Sequence, residues 1–289
     1  MPELPEVEIT ARRLDAALRG AVIESAVAPG LNALKTFDPP LQALEGRAIE
    51  GVRRRGKHLI VDVAGGLAVL MHLMSAGRLQ LFDKRASLRD RTSRLLLRLA
   101  GAPGDEAGRE LRLREFGTRQ RAWVKVLRAE ALDDDESLTD LGPEAWPDPP
   151  PLRELLADEG SRPLYAVLRD QHVISGIGRS WVDEILWTAM LSPFKRADDL
   201  DDDEAERLRD ATVAVLDGAI EHYERVVELP IPDKLPLPLQ VHRHQGEPCP
   251  RCGTTIEAVH YEDYVMCYCP QEQTGGRVLK DRRLSRLLK

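Results

Sequence analysis

The chain has no apolar run of membrane-spanning length, and its start lacks the basic-then-apolar layout of a signal peptide. These absences argue against the membrane and secretory classes, so we expect a cytoplasmic protein with no membrane partner. Cysteine is scarce, with 4 residues among 289, all between Cys249 and Cys269. Cysteines clustered in this way do not look like a disulfide framework and indicate a metal site instead.

An excess of positive charge is also missing. The chain has 41 Lys and Arg against 48 Asp and Glu, for a net charge of −7. This balance argues against nucleic-acid binding, because lysines and arginines make the phosphate contacts. The charges are nevertheless segregated along the chain. Acidic residues concentrate at 133–136 and 198–204, and basic residues concentrate at 53–55, 112–125 and 277–289. Such segregation permits a basic face on an acidic protein.

The chain is long enough for two domains and a small appended module. Apolar residues at helical spacing predict a first helix over 5–19, and from Val22 to about Leu127 short β-type runs separated by glycine indicate a sandwich or barrel. The predicted strands are 59–63, 67–70, 78–82, 93–99 and 122–126. Beyond a Pro-rich segment at 143–151, the predicted elements are helices at 151–156, 164–168, 181–187 and 204–223.

The first residues carry candidate chemistry. Removal of Met1 leaves Pro2, a secondary amine, at the terminus beside the carboxylic acid of Glu3. An α-amino group titrates near neutral pH, so a useful fraction is unprotonated and nucleophilic. A secondary amine that attacks an aldehyde-like carbon forms a cationic iminium, and the adjacent acid can protonate the leaving oxygen. Pro2 and Glu3 are therefore candidate catalytic residues.

The string Met1-Pro-Glu-Leu-Pro-Glu-Val-Glu8 resembles the start of the formamidopyrimidine-DNA glycosylase / endonuclease VIII family, and it leans to the formamidopyrimidine side. The resemblance implies a bifunctional glycosylase and abasic-site lyase of base-excision repair that acts on damaged double-stranded DNA, with oxidised purines favoured. In that mechanism Pro2 attacks C1′ and Glu3 protonates the sugar ring oxygen. Glu6 orients water or the sugar, and Lys57 assists β,δ-elimination near the scissile phosphate.

The same resemblance implies an α+β, multi-domain fold. It consists of an N-terminal β-sandwich with a leading helix (1–130), a helix–two-turn–helix DNA-binding domain (131–228), and a linker, zinc-ribbon-type module and basic tail (229–289). We expect a monomer that associates with the nucleoid when bound to DNA. The alternatives are a relative that binds damaged DNA without cutting it and a glycosylase for oxidised pyrimidines.

Several DNA contacts are implied by matching motifs. Arg114-Glu-Phe-Gly117 is similar to the family's Arg-Arg-Phe-Gly loop, in which an Arg and a Phe fill the gap left by the extruded nucleotide, so Arg114 and Phe116 are assigned that role. Met74 stands one position from the family's third wedge residue. Gly176, Gly178 and Arg179 form the Gly turn that aims a helix N-terminus at a phosphate.

Some positions depart from the family's pattern. Glu115 replaces a phosphate-binding arginine, and Tyr165 replaces a lysine expected to bind DNA. Tyr264 stands where a hairpin arginine contacts the lesion nucleotide. The segment 229–239 is Pro-rich, unlike the usual Gly-rich lesion loop. The chemistry of the family is therefore matched better than its choice of base.

Cys249-Pro-Arg-Cys252 has the spacing of half a tetrahedral zinc site. By the resemblance, Cys269 supplies the third ligand of one structural zinc ion. Three alternatives remain open. The fourth ligand is Cys267, or it is Glu272 through a carboxylate oxygen, or the metal is weakly bound or absent. We prefer Cys267, because thiolate is the softer partner.

Overall fold

The computed structural model describes residues 2–30, 32–101, 108–117, 119–261 and 264–279. Within these ranges no helix combines the length and the apolar character needed to cross a membrane. The chain divides into two compact units, the first made of Met1–Asp140 with Ile220–Pro236 and the second of Leu141–Ala219 with Leu237–Lys289. The stretch 220–236, which the sequence assigned to the helical domain and the linker, thus clusters with the first unit.

The first unit begins with helix α1 (Leu4–Leu18) and continues as eight strands. Glu3 is the N-cap of α1 and forms a capping box with Glu6, and a proline lies in the first turn, where its missing N–H costs nothing. The strands are β1 (Ile23–Val27), β2 (Ile49–Arg55), β3 (His58–Val63), β4 (Leu67–His72), β5 (Gly77–Phe82), β6 (Ser93–Leu99), β7 (Glu110–Glu115) and β8 (Trp123–Arg128). A short helix α2 (Glu136–Thr139) follows.

The eight strands form two antiparallel four-stranded sheets, ordered β1-β6-β7-β5 and β2-β3-β4-β8. One apolar cluster joins both sheets and α1. It includes Leu14 of α1, Val69 of β4 and Leu95 of β6, each with 0% of its surface exposed. Every second residue of the strands enters this shared core, as Leu59, Val61 and Val63 of β3 do. The structure therefore has the α+β class and the leading helix on a sandwich that the sequence indicated.

The second unit is helical and ends in a small hairpin. Its helices are α3 (Leu152–Leu155), α4 (Leu164–Val167), α5 (Arg179–Thr188) and most of α6 (Asp202–Val226), whose last turns belong to the first unit. The hairpin consists of β9 (Glu257–His260) and β10 (Val265–Tyr268), followed by helix α7 (Pro270–Thr274). A second apolar cluster contains three of the cysteines together with Trp187 and Val241.

Candidate active site

The first turn of α1 carries two buried carboxylates. Glu3 is 1% exposed and Glu6 is 6% exposed, and Pro2 beside them is buried. The Glu3 N–H donates to Glu6 Oε2 at 2.8 Å, while the Glu3 side chain accepts from the backbone of Glu6. The helix cap therefore holds both carboxylates next to the amine that Pro2 provides once Met1 is removed.

The second oxygen of Glu6 is engaged by Tyr223. The Tyr223 hydroxyl donates to Glu6 Oε1 at 2.8 Å, and the tyrosine side chain is fully buried. Burial, together with the nearby carboxylate of Glu6, raises the pKa of Tyr223 well above its ordinary value, so the hydroxyl remains a donor. No local motif marks this residue, since 217 positions separate it from Glu6. The sequence therefore gives no signal that would single out Tyr223.

Lys57 lies in the tight turn between β2 and β3, where Gly56 has a φ of 55° that favours glycine. Its side chain is 7% exposed. Just before the turn, Arg54 Nε contacts Glu8 Oε2 at 2.7 Å, and both side chains are largely buried. This ion pair fastens the end of β2 to the helix that follows Pro2.

Two histidines pack behind this turn. The ring centroids of His58 and His72 are 4.7 Å apart, and burial lowers the pKa of His58 to about 4 and that of His72 to about 3. Both rings are therefore neutral at pH 7. His72 Nδ1 accepts the N–H of Met74 at 2.9 Å, and Met74 has a φ of 51°. The neutral ring thus supports Met74 in a conformation that few side chains adopt.

Arg114 and Phe116, the other two residues assigned to the gap, lie together. The Arg114 guanidinium carbon is 4.6 Å from the centroid of the Phe116 ring, and Phe116 is 36% exposed. Arg114 Nη1 also donates to Gln80 Oε1 at 3.1 Å and lies 3.4 Å from Asp233 Oδ1. Asp233 belongs to the Pro-rich segment 229–239, so this segment contacts the sheet that carries Arg114.

Glu115, between them, points the other way. It is 1% exposed, and its carboxylate accepts the N–H groups of Arg121 and Ala122, each at 2.8 Å. Arg94 Nε lies 3.7 Å away. The side chain at this position supports the chain entering β8.

The predicted Gly turn of the second unit is built around Gln171. Its Oε1 accepts the N–H of Gly176 at 3.0 Å, and its Nε2 donates to the Ile177 carbonyl at 2.8 Å. Gly178 is the N-cap of α5, and Arg179 is the first residue of that helix. The turn therefore places Arg179 at the positive end of the helix.

Three of the four cysteines lie close together, and the fourth lies apart from them. The Sγ atoms of Cys249, Cys252 and Cys269 all lie within 4.8 Å of one another. The structure does not bring Cys267 into this group: its Sγ accepts the N–H of Arg243 at 3.3 Å, and burial raises the pKa of its thiol to about 11. Three converging sulfurs fit a soft metal ion such as zinc.

Glu272, the alternative fourth ligand, is engaged in an ion pair. Its Oε2 lies 2.9 Å from Arg251 Nε, and Arg251 stands between the first two cysteines in sequence. The structure therefore gathers three of the sequence-predicted ligands, and among the described residues it places no fourth His, Cys, Asp or Glu ligand atom with them.

Comparisons with known proteins agree with this architecture. Two family profiles match, the formamidopyrimidine-DNA glycosylase N-terminal domain at residues 1–119 and its H2TH domain at residues 142–229. The formamidopyrimidine-DNA glycosylase of Moorella thermoacetica is 34% identical over 269 residues, which cover 90% of this chain and 94% of the relative.

Two solved structures with DNA are also similar. The Lactococcus lactis enzyme bound to DNA with an oxidised pyrimidine is 25% identical, with a TM-score of 0.80 over 94% of this chain and 100% of that one. MutM bound to DNA with carbocyclic 8-oxoguanine is 26% identical, with a TM-score of 0.81 and the same coverage.

With these matches, the sandwich, the helical domain and the cysteine hairpin define a DNA-binding repair enzyme. The chain belongs to the formamidopyrimidine-DNA glycosylase family. The family resemblance of the amino-terminal string is thereby confirmed, as is the fold class.

Proposed function

We propose that this protein removes oxidised bases from double-stranded DNA and then cuts the strand at the abasic site. The observation that carries the proposal is the pair of buried carboxylates of Glu3 and Glu6 beside Pro2, held by the capping box and by Tyr223. A helix start needs neither a buried Glu6 nor a tyrosine donor from a distant segment. A nucleophilic amine with an adjacent acid uses both.

In the first step, the Pro2 amine attacks C1′ of the extruded nucleotide. Glu3 protonates the ring oxygen as the bond from C1′ to that oxygen breaks and the ring opens. The bound amine then loses its proton, and its lone pair expels the base, which leaves with a proton, so that an iminium remains at C1′. Glu6 is fixed by two donors, the Tyr223 hydroxyl and the Glu3 N–H, both at 2.8 Å. Its role is to orient the sugar or a water molecule.

In the second step, the cationic iminium at C1′ withdraws electrons and acidifies the C2′ proton. Loss of that proton expels the 3′ phosphate, and a second elimination expels the 5′ phosphate. We assign Lys57 to the phosphate side of this reaction, because it is a largely buried cation on a turn fastened to α1 through Arg54 and Glu8.

The DNA is held by two groups of residues. In the first unit, Arg114, Phe116 and Met74 occupy the gap left by the extruded nucleotide, and the exposure of Phe116 supports this role. In the second unit, the turn of Gly176 and Gly178 directs Arg179 and the start of α5 toward the phosphates.

Cys249, Cys252 and Cys269 are the residues that we propose hold one structural zinc ion. When bound, the ion cross-links the knuckle at 249–252 to the end of the hairpin. The sequence-based choice of Cys267 as fourth ligand stays a prediction, and it requires the thiol of Cys267 to leave the Arg243 N–H.

Oxidised purines are the first substrate class and oxidised pyrimidines the second. The solved relatives are described with lesions of both classes, 8-oxoguanine in one and an oxidised pyrimidine in the other. The Pro-rich segment 229–239 differs from the usual lesion loop, so base choice has to be measured.

The test is borohydride trapping of tag-free protein on duplexes that carry 8-oxoguanine, an oxidised pyrimidine or a bare abasic site. We expect a covalent adduct that maps to Pro2, and its yield on the two lesions ranks the substrates. Protein with an uncleaved amino-terminal tag is the matched control and is expected to give no adduct. Normal strand cleavage by the tagged protein would contradict the mechanism, and intact DNA binding without any adduct would favour a non-cutting binder.

A further inference from the structure

Three tyrosine rings pack together in the second unit, and we call them the tyrosine cluster: Tyr165, Tyr261 and Tyr264. The rings of Tyr264 and Tyr261 are stacked, with centroids 4.3 Å apart and planes 11° from parallel. The ring of Tyr165 lies nearly parallel to that of Tyr264, with centroids 5.9 Å apart. The cluster thus joins α4 to the two ends of the connection between β9 and β10.

Two guanidinium groups lie against this cluster. The guanidinium carbon of Arg169 is 4.5 Å from the Tyr264 centroid and 4.9 Å from that of Tyr165. The guanidinium carbon of Arg179 is 4.8 Å from the Tyr264 centroid. Both arginines are only half-buried. An arginine that stacks on an aromatic ring keeps its N–H edge in position for a planar anionic partner.

The cluster also contains a donor that needs an acceptor. Tyr165 is 4% exposed, and its buried hydroxyl has no acceptor among the described residues. Within the same residues, no ion pair joins Arg169 to a carboxylate. A buried hydroxyl without a partner is costly, so the site favours a ligand that brings acceptor oxygens.

We propose that Arg169 and Arg179, aligned by the ring of Tyr264, bind one phosphate of the DNA backbone, with the Tyr165 hydroxyl as a further donor. This deepens the proposed function, because it rests on DNA binding by the second unit. The ring of Tyr264 supplies no charge of its own. It replaces a charged side chain by holding two cations within reach of one anion.

A phosphate fits this site better than a stacked base does. The ring of Tyr264 already has Tyr261 stacked on it and two guanidinium groups within 5 Å of its centroid. A base therefore finds little open ring face, whereas a phosphate oxygen can accept from two guanidinium edges at once. An anion bound between the two guanidinium groups also offsets the repulsion between their positive charges.

The first test measures how binding to a duplex with an abasic-site analogue depends on salt. Each phosphate contact contributes about 0.9 to the slope of log K against log salt. We expect Arg169→Gln to reduce that slope by about 0.9, so that a fourfold rise in salt weakens its binding about 3.5-fold less than that of the wild type. Arg196→Gln is the matched control, because Arg196 already pairs with Asp198 at 2.6 Å. An unchanged slope for Arg169→Gln would overturn the proposal.

The second test separates alignment from charge. Tyr264→Leu removes no charge but removes the ring, so it should lower the slope as Arg169→Gln does, and the double variant should lower it little further. Tyr264→Phe keeps the ring and should match the wild type. A wild-type slope for Tyr264→Leu would overturn the alignment by the ring, and a melting temperature below that of Tyr264→Phe would then show that the ring only packs.

The third test locates the phosphate. Single neutral methylphosphonates are placed along the duplex, and the one that weakens wild-type binding should have no effect on the Arg169→Gln variant. Borohydride trapping by the wild type and by the Arg196→Gln control should be normal. If the wild type traps normally and Arg169→Gln responds to every methylphosphonate as the wild type does, only the arginine site is rejected. Absence of trapping in the wild type would instead reject the proposed function.

Discussion

At the residue scale, Glu115 shows how a departure from a motif can have a structural reason. The position follows Arg114 in a loop similar to one where the family carries an arginine, and a substitution there suggested a lost phosphate contact. The carboxylate instead accepts two backbone N–H groups and lies near Arg94, and the side chains of Glu115 and Arg94 are both largely buried. It has become part of the support for β8. No local pattern in the sequence reveals such a contact, because the acceptors and donors are set by how the strands pack.

This support predicts the effect of replacing Glu115. Glu115→Ala removes the acceptor of two N–H groups and the carboxylate that lies near the buried Arg94. This loss should lower the free energy of unfolding by about 3 kcal/mol. Glu115→Arg restores the family's residue but buries a second cation beside Arg94, so it should destabilise the fold at least as much. Urea unfolding measures both. A stable Glu115→Arg variant that binds DNA more tightly would show that the position still contacts phosphate.

At the element scale, apolar periodicity predicted α1 and five of the strands, but β1, β2 and β7 lay outside the predicted runs. β2 ends in three arginines, and β7 alternates charged residues with leucine. The charges are compatible with strands because they are paired: Arg53 contacts Asp62 of the neighbouring strand at 2.8 Å, and the fully buried Glu110 contacts Arg98 and Arg112. Pairing of this kind is a tertiary property and leaves no apolar signature in the sequence.

Helix α5 provides a second case of buried charge, with adjacent carboxylates that anchor the region before the hairpin. Glu184 accepts the N–H groups of residues 240–242, at 2.9, 3.0 and 2.8 Å. Asp183 accepts the Cys267 N–H at 3.0 Å and contacts His242 Nδ1 at 2.6 Å. The sequence shows α5 only as an amphipathic helix next to a Gly turn, so this anchoring role was not predicted.

The anchor predicts a local effect of Glu184→Ala. Three buried N–H groups lose their acceptor, which should cost about 3 kcal/mol and raise the hydrogen-exchange rates of residues 240–242 on the order of a hundredfold. Exchange in β3 and β4, which belong to the other unit, should not change. Glu184→Gln keeps one acceptor oxygen, so the exchange rates of residues 240–242 in this variant should lie between those of the wild type and Glu184→Ala. Equal protection of 240–242 in Glu184→Ala and the wild type would show that these bonds do not hold the segment.

At the scale of the whole molecule, the two units described above differ in the apolar clusters that support their sheets. The first has an extensive apolar cluster that joins two sheets, and the second includes a small cluster in which cysteines take the place of larger side chains. A core of that size stabilises a hairpin weakly, so a metal ion would contribute a large share of its folding energy.

The net charge of −7 does not argue against DNA binding, because the site residues act locally and the acidic stretches lie elsewhere in the chain.

Removal of the metal should therefore affect one unit. Cys269→Ser is expected to lose stoichiometric zinc, because Cys269 is one of the three grouped sulfurs, and to lose hydrogen-exchange protection in β9 and β10. Protection in β3 and β4 should remain, since their core contains no cysteine. A chelator should reproduce the same pattern in the wild type.

Cys267→Ser is the matched control, since serine can still accept the Arg243 N–H and the Sγ of Cys267 lies apart from the other three. Retention of one equivalent of zinc by elemental analysis, with the hairpin still protected, would show that the three grouped sulfurs suffice. Loss of zinc in Cys267→Ser would instead establish the four-cysteine ligand set that softness of the donor favours. Loss of protection in β3 and β4 together with the hairpin would contradict the separate stability of the two units, because a shared transition requires that the metal support both cores.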